Sequence, residues 1–422
     1  MPKFIVQGGR KLQGTVKISG SKNAVLPIIC ASLLAEDKTT LTNVPDIADV
    51  HSMLKIVESL GAKVNFENDT VEIIPGKLKK NAIPDELINR MRASILIIGP
   101  LIPLLGEVKM PFPGGCVLGK RSVDTHTYAF KKLGCKIIEE KKYIHITSKK
   151  LKGTKIILPE LSVTATENAI MAAVLAEGET EIRLAAAEPH VQDLCIFLQK
   201  MGAKIEGIGT NNIKIKGVKK LKGAKHSITG DYLEAGTFAI AAVGTKGDVK
   251  ITGIDPGHLD SFWQKLEEMG VKFTLGKDYA HIHPYSGNLQ PVTSLKTAVY
   301  PSFATDLQAP FTVLLTQAKG VSKVFETLFE GRLSYLFELE KMGAHIEFLN
   351  AHQALIIGKS KLKGSLISSC DIRAGAAMVV AALIAEGETE ISNIRYIDRG
   401  YEKLEDKFNA LGASIKRIQP KD

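Results

Sequence analysis

Apolar runs and alternating runs follow one another in a fixed order along this chain. Residues 24–35 are apolar on most faces and rich in helix formers, which predicts a buried helix. Residues 39–44 alternate and carry β-branched Thr and Val, which predicts a strand. From Asp49 to Leu60 the apolar positions Val50, Met53, Leu54, Val57 and Leu60 mark one helical face, and Gly61 stands where a helix end favours glycine. Residues 63–66 and 70–74 alternate around Glu67-Asn68-Asp69 and predict a hairpin. The predicted unit is helix, strand, helix, strand, strand.

That unit recurs six times. A phrase of Leu or Met, Gly, a small residue, usually Lys, and an apolar residue places glycines at 61, 134, 202, 270, 343 and 412, spaced 73, 68, 68, 73 and 69 residues apart. The segments Val174 to Ile182 and Leu383 to Ile391 are nearly identical joints between the first helix and the first strand, and Leu33 to Leu41 is a third copy. Leu151-Lys-Gly, Leu221-Lys-Gly and Leu362-Lys-Gly mark boundaries, and Leu12-Gln-Gly resembles them. The first helix of each repeat is too apolar for a surface, so sheets and second helices must pack around it. The pattern predicts an α/β repeat protein with three repeats in each of two domains, and the expected bounds are residues 22–229, and residues 1–21 with 230–422.

Composition narrows the class. With 422 residues, 45% hydrophobic and 24% charged, the chain is too long for one ordinary core and has the make-up of a globular protein. No stretch reaches the roughly 18 apolar residues of a membrane span. Residues 1–14 lack the apolar centre of a secretory signal. Five cysteines without paired spacing argue against a disulfide framework. A cytoplasmic, reduced protein is expected. The net charge of +10 favours anionic partners, but no zinc-ligand spacing or RNA-binding signature accompanies it, and neither a metal nor a cofactor is expected.

Polar residues collect at two junctions of the repeat. At the start of the buried first helix stand Lys22-Asn23, Arg92, Ser162-Val163-Thr164, Asp231, Thr305-Asp306 and Asp371-Ile372-Arg373. Asp, Ser and Thr there can be plain helix caps. Lys22, Arg92 and Arg373 cannot, because a cation at a helix start opposes the dipole, so they suggest a convergent anion site. The other junction lies between first strand and second helix. In the second repeat it expands into a Gly- and Pro-rich loop, residues 111–126, with Cys116 at its middle beside Lys120 and Arg121, cations that favour thiolate. The fifth repeat places Phe329-Glu-Gly-Arg332 there, and the sixth Asp398-Arg399-Gly-Tyr. Cys30 and Cys195 fall on apolar helix faces, Cys135 fills the small-residue slot of the repeat phrase, and Cys370 reads as packing.

These residues, in this order, resemble the enolpyruvyl transferases. The matching stretches run from Gly20-Ser-Lys-Asn-Ala24 through Met91-Arg-Ala-Ser94, Pro113-Gly-Gly-Cys116, Arg121-Ser-Val-Asp124, Thr305-Asp306, Phe329-Glu330, Arg332 and Asp371-Ile-Arg373 to Ile397-Asp-Arg-Gly-Tyr401. The resemblance implies a two-domain inside-out α/β barrel with the active site in the cleft between the domains. It implies transfer of the enolpyruvyl group of phosphoenolpyruvate to the 3′-hydroxyl of UDP-N-acetylglucosamine with release of phosphate, the first committed step of peptidoglycan synthesis. Lys22, Arg121 and Arg399 are then the phosphoenolpyruvate clamp. Arg92 and the segment Arg121, Ser122, Val123, Asp124, Thr125 are expected at the sugar nucleotide, with Ser162, Val163, Thr164 and Leu328 beside the nucleotide. Asn23, Arg332 and Arg373 join the substrate-binding set. Cys116 is the implied acid or adduct site, and Asp306 orients the sugar hydroxyl and accepts its proton. Glu160, Thr164, Ala48, Ala304, Pro310 and Gly331 depart from the commoner pattern. A non-catalytic UDP-sugar-binding paralogue and the sister enzyme acting on shikimate 3-phosphate are the alternatives.

Overall fold

The computed structural model describes residues 2–80, 83–114 and 122–419. Six apolar helices open the six repeats: α1 Lys22–Ala31, α2 Ile98–Leu105, α3 Val163–Ala173, α4 Tyr232–Gly244, α5 Thr305–Leu315 and α6 Ile372–Ile384. Every residue of α4 from Tyr232 to Val243 is buried, as is every residue of α6 from Arg373 to Leu383. Such helices are stable only when covered on all sides. The helices α4, α5 and α6 pack on one another, and α2 packs on both α1 and α3. Ahead of α2, Arg92–Ile97 winds as a 3-10 helix, so the second repeat opens on a tighter turn than the others.

The repeat phrase is a helix-ending device. Its glycines adopt φ of 110°, 95°, 105°, 79°, 94° and 93° at Gly61, Gly134, Gly202, Gly270, Gly343 and Gly412, a region that residues with a Cβ avoid. In each copy the residue after glycine donates its N–H back into the helix, as Ala62 does to Val57 O at 3.2 Å and Ala413 to Phe408 O at 3.1 Å. That following residue is buried in all six copies, which is why it stays small.

Five sheets have four strands, and one has three among the described residues. In the third repeat the strands Glu179–Arg183, Lys204–Glu206 and Asn212–Lys216 are antiparallel neighbours, with Thr180 opposite Ile215. A further strand, Lys155–Ile157, lies parallel at the edge with Ile156 beside Ile182. The helix, strand, helix, strand, strand reading therefore lacks this short parallel strand, whose three residues are too few to show a period.

The chain exchanges strands as it passes from one half to the other. Gln13–Lys17, which precedes α1, pairs in parallel with Asp248–Thr252 of the fourth repeat. Lys225–Ser227, which precedes α4, pairs in parallel with Thr39–Thr42 of the first. Strand Lys3–Gln7 lies between Glu388–Ser392 and Ile415–Ile418, antiparallel to both, so the last strand of the sixth repeat comes from the other end of the sequence. Residues 20–114 with 122–229 form one compact unit, and residues 2–19 with 230–419 form the other.

Candidate active site

In the unit of the first three repeats, α1 begins at Lys22 without a side-chain cap from Ser21. The Lys22 ammonium lies 3.0 Å from Asp49 Oδ2, and Asp49 is buried in the first turn of helix Ala48–Ser59. A cation at a helix start is electrostatically disfavoured, and the Asp49 carboxylate supplies the countercharge that fixes it there. Asn23 follows, half-buried. The Arg92 guanidinium donates through Nη2 to Ser122 O at 2.6 Å, tying the start of the second repeat to the segment after its expanded loop. Ser122 Oγ accepts from the Asp124 N–H at 2.9 Å just ahead of helix Asp124–Lys132, and Val123 between them is buried. Thr125 donates to Glu160 Oε1 at 2.9 Å.

Behind this surface a buried polar chain has its protons fixed by geometry. Asn168 Oδ1 accepts from the Gly99 N–H at 2.9 Å, so Nδ2 is its donor end. Nδ2 then donates to Ile95 O at 3.0 Å and to His126 Nδ1 at 2.9 Å. His126 Nδ1 is thus an acceptor, its proton sits on Nε2, and Nε2 donates to Thr164 Oγ1 at 3.2 Å. The hydroxyl proton of Thr164 is left to point elsewhere. Burial, then the nearby Arg92 charge, lowers the His126 pKa to about 3, so the ring is neutral. Ser162 and Val163 open α3 just ahead of Thr164.

In the other unit, Thr305 and Asp306 occupy the first turn of α5. Asp306 Oδ1 accepts from Arg332 Nη2 at 2.7 Å, and its Oδ2 lies 3.5 Å from Arg373 Nε. Both arginines are buried, at 3% and 4% exposure. Burial works against the charge of each; for Arg332, Asp306 and then Asp371 outweigh it, and for Arg373, Tyr401 and Asp306 do. Asp371 caps α6 by accepting from the N–H groups of Arg373 and Ala374, both at 2.7 Å. Arg373 also lies 5.1 Å from the Tyr401 ring centroid, and its Nη1 is buried with no acceptor among the described residues. Buried Glu326 accepts from Thr305 Oγ1 at 2.8 Å and from the Leu328 N–H at 2.9 Å, while the Leu328 side chain stays exposed. Arg399 ends the 3-10 helix Ile394–Arg399, half-buried.

Two clusters therefore gather residues that the sequence marks at helix starts and strand ends. Asp306, Arg332 and Arg373 touch directly; in the other unit Arg92 bonds to Ser122, Thr125 to Glu160 and Thr164 to His126. Cys116, Lys120 and Arg121 lie outside the described residues. Sequence reasoning did not mark Asp49, Asn168 or Glu326 as site residues, and it marked Tyr401 only within the stretch Ile397 to Tyr401, without assigning it a partner. The remaining cysteines are poor nucleophiles: burial pushes Cys135 up to about 11 and Cys195 to about 12, raises Cys30, and holds half-buried Cys370 at about 11.

A half-buried carboxylate between two buried guanidiniums, and a basic helix start in each half, define a protein that handles anions by fixed charge. The family model described as EPSP synthase (3-phosphoshikimate 1-carboxyvinyltransferase) matches residues 6–408, and the chain belongs to this family. Among its relatives is UDP-N-acetylglucosamine 1-carboxyvinyltransferase 1 of Caldanaerobacter subterraneus subsp. tengcongensis, 46% identical over 98% of this chain and 99% of that one. UDP-N-acetylglucosamine 1-carboxyvinyltransferase 2 of Carboxydothermus hydrogenoformans is 44% identical over 99% of this chain and all of its own, 100%. Among solved structures, the enolpyruvyl transferase NikO from Streptomyces tendae superimposes with a TM-score of 0.89 at 23% identity, covering 99% of this chain and 98% of that one. EPSP synthase from Acinetobacter baumannii gives 0.75 at 20% identity, covering 99% and 100%. At that identity the likeness is one of fold.

Proposed function

We propose that this chain has UDP-N-acetylglucosamine 1-carboxyvinyltransferase activity, joining the enolpyruvyl group of phosphoenolpyruvate to the sugar 3′-hydroxyl and releasing phosphate for peptidoglycan synthesis. The observation that carries the reading is identity of 44–46% along nearly the whole chain to relatives of that name. The Asp306–Arg332–Arg373 cluster supports it, because it offers an oriented proton acceptor. In this reading Asp306 takes the proton of the 3′-hydroxyl as its oxygen bonds to C2 of phosphoenolpyruvate, and Cys116 protonates the CH2 carbon. The adduct then loses phosphate and a methyl proton, restoring the double bond. Lys22, Arg121 and Arg399 hold the anionic phosphoenolpyruvate. Arg92, Ser122 to Thr125, Ser162 to Thr164 and Leu328 serve the sugar nucleotide. Each unit is read as an inside-out barrel, a reading supported by the mutual packing of α4, α5 and α6. No helix among the described residues is long and apolar enough to cross a membrane, and the enzyme is read as cytoplasmic.

The test is phosphate release from phosphoenolpyruvate with either UDP-N-acetylglucosamine or shikimate 3-phosphate as acceptor. Release only with the sugar nucleotide is expected. Release only with shikimate 3-phosphate would reassign the substrate, and tight nucleotide binding without any release would make the chain a binding protein.

A further inference from the structure

Among the described residues, one set of three His, Cys, Asp or Glu side chains has its ligand atoms within 4.8 Å of one another: Asp248, His281 and His283. All three stand on the sheet of the fourth repeat, and none belongs to the residues assigned to enolpyruvyl transfer. Strands Asp248–Thr252 and Tyr279–Ile282 are antiparallel, with Val249 opposite Ile282 and Lys250 opposite His281. Val249 and Ile282 are fully buried in the core, so the alternating positions 248, 281 and 283 share the outer face. His281 Nε2 lies 2.6 Å from Asp248 Oδ1, and the two imidazole centroids are 4.4 Å apart at 53°. The second strand is extended by one residue, since the His283 N–H donates to Lys272 O at 3.0 Å, and this holds the second ring beside the first. Thr274 Oγ1 meets His283 Nε2 at 2.7 Å. Two cations share this face and oppose a metal there, Lys272 across from His283 and Lys250 across from His281. The Lys250 ammonium lies 4.2 Å from the Tyr279 ring centroid, on the far side of His281 from His283.

We propose that Asp248, His281 and His283 form a binding site for a divalent transition-metal ion of the zinc class. Two imidazoles and one carboxylate are the donors such ions select, whereas magnesium and calcium require more oxygen ligands. Metal–ligand bonds of about 2.0–2.1 Å in tetrahedral geometry hold their donor atoms roughly 3.3 Å apart, so the 2.6 Å contact of His281 with Asp248 must open while any wider spacing within the 4.8 Å set closes, changes within reach of side-chain rotation on an exposed face. Three protein ligands leave coordination positions for water or an anion. Because the ligands come from two adjacent strands, the ion ties those strands together. The histidine pair has the spacing His-x-His, natural to one face of a strand, rather than the His-x-x-x-His of a helix.

The test is calorimetric titration of the full chain with Zn2+ after chelator treatment, in parallel with His281→Ala, His283→Ala and Asp248→Asn. Wild type is expected to take up zinc at this site, and each histidine variant to weaken that binding by about 10-fold or more. With Cu2+ as probe, electron paramagnetic resonance is expected to show coordination by two nitrogens that falls to one in either histidine variant. Unchanged melting temperatures of the variants in chelator separate ligand loss from unfolding, and the near-isosteric Asp248→Asn serves if a histidine variant is unstable. Absence of zinc binding up to about 1 mM, or equal binding by wild type and the His281→Ala/His283→Ala double variant, would overturn the proposal.

Discussion

At Asp306 one carboxylate meets two buried guanidiniums, so its loss is felt twice. Asp306→Asn keeps the shape but cannot accept a proton, and turnover is expected to fall by roughly 10²–10⁴. The same change leaves the buried Arg332 charge short of a partner. Since Asp306 is itself 29% exposed, the stability cost is expected at about 1–3 kcal/mol rather than the full cost of a broken buried pair. Rate and denaturant midpoint measured on one preparation check both, and full turnover would remove Asp306 from the chemistry. His126 makes a prediction about pH. Its folded pKa of about 3 lies below the ordinary 6.5, so between those values the unfolded chain binds a proton that the folded chain refuses. Stability conferred by the neutral ring is therefore lost as pH falls from 6.5 towards 3, by up to about 4 kcal/mol. Unfolding of wild type and His126→Asn at pH 7 and pH 4 tests this: the gap between them should change with pH, and a constant gap would sink it. Part of the site was legible at this scale. Lys22, Arg92 and Arg373 stand out because a cation at a helix start breaks a rule. Asp49 and Asn168 break none, since an acid in a first turn and an amide inside a helix become functional only through partners distant in sequence.

The helices pack closely because glycines let them. A Cβ on Gly99 would meet Asn168 Oδ1 at 2.8 Å and Met171 Cβ at 3.0 Å, so Gly99 marks the contact of α2 with α3. Gly99→Ala is expected to cost about 1–3 kcal/mol by overpacking and to push Asn168 from the Gly99 N–H. With that bond gone, the orientation of Asn168 and the tautomer of His126 are no longer fixed. Nitrogen NMR of the imidazole checks the second effect; an unchanged Nε2–H tautomer would show that Asn168 does not set it. Element order was legible because the second helix of each repeat ends at a glycine with φ between 79° and 110°, a region that residues with a Cβ avoid. The short parallel edge strands were not, because Lys155–Ile157, Lys225–Ser227 and Leu366–Ser368 are three residues each and take their identity from the neighbour they pair with.

At the scale of the molecule, the repeat count predicts two halves, while the exchanged strands follow from no periodicity. Phe4 and Val6 are fully buried in the core of the second unit although they lie at the start of the chain. Phe4→Ala is expected to destabilise by about 3–5 kcal/mol, as a central core deletion does. A denaturant midpoint unchanged from wild type would show that strand Lys3–Gln7 is dispensable.

That strand also imposes an order on synthesis. Lys3 and Glu390, joined by a 2.6 Å ion pair, are 387 positions apart. At a ribosomal pace of roughly 5–20 residues per second, the first strand waits on the order of 20–80 s for its partners to emerge. The other unit draws its described residues from 20–229, so its sequence is complete long before that. Throughout that wait Phe4 and Val6 stand on an unpaired ribbon, which makes the opening residues, not the closing ones, the natural client of a chaperone at the exit tunnel.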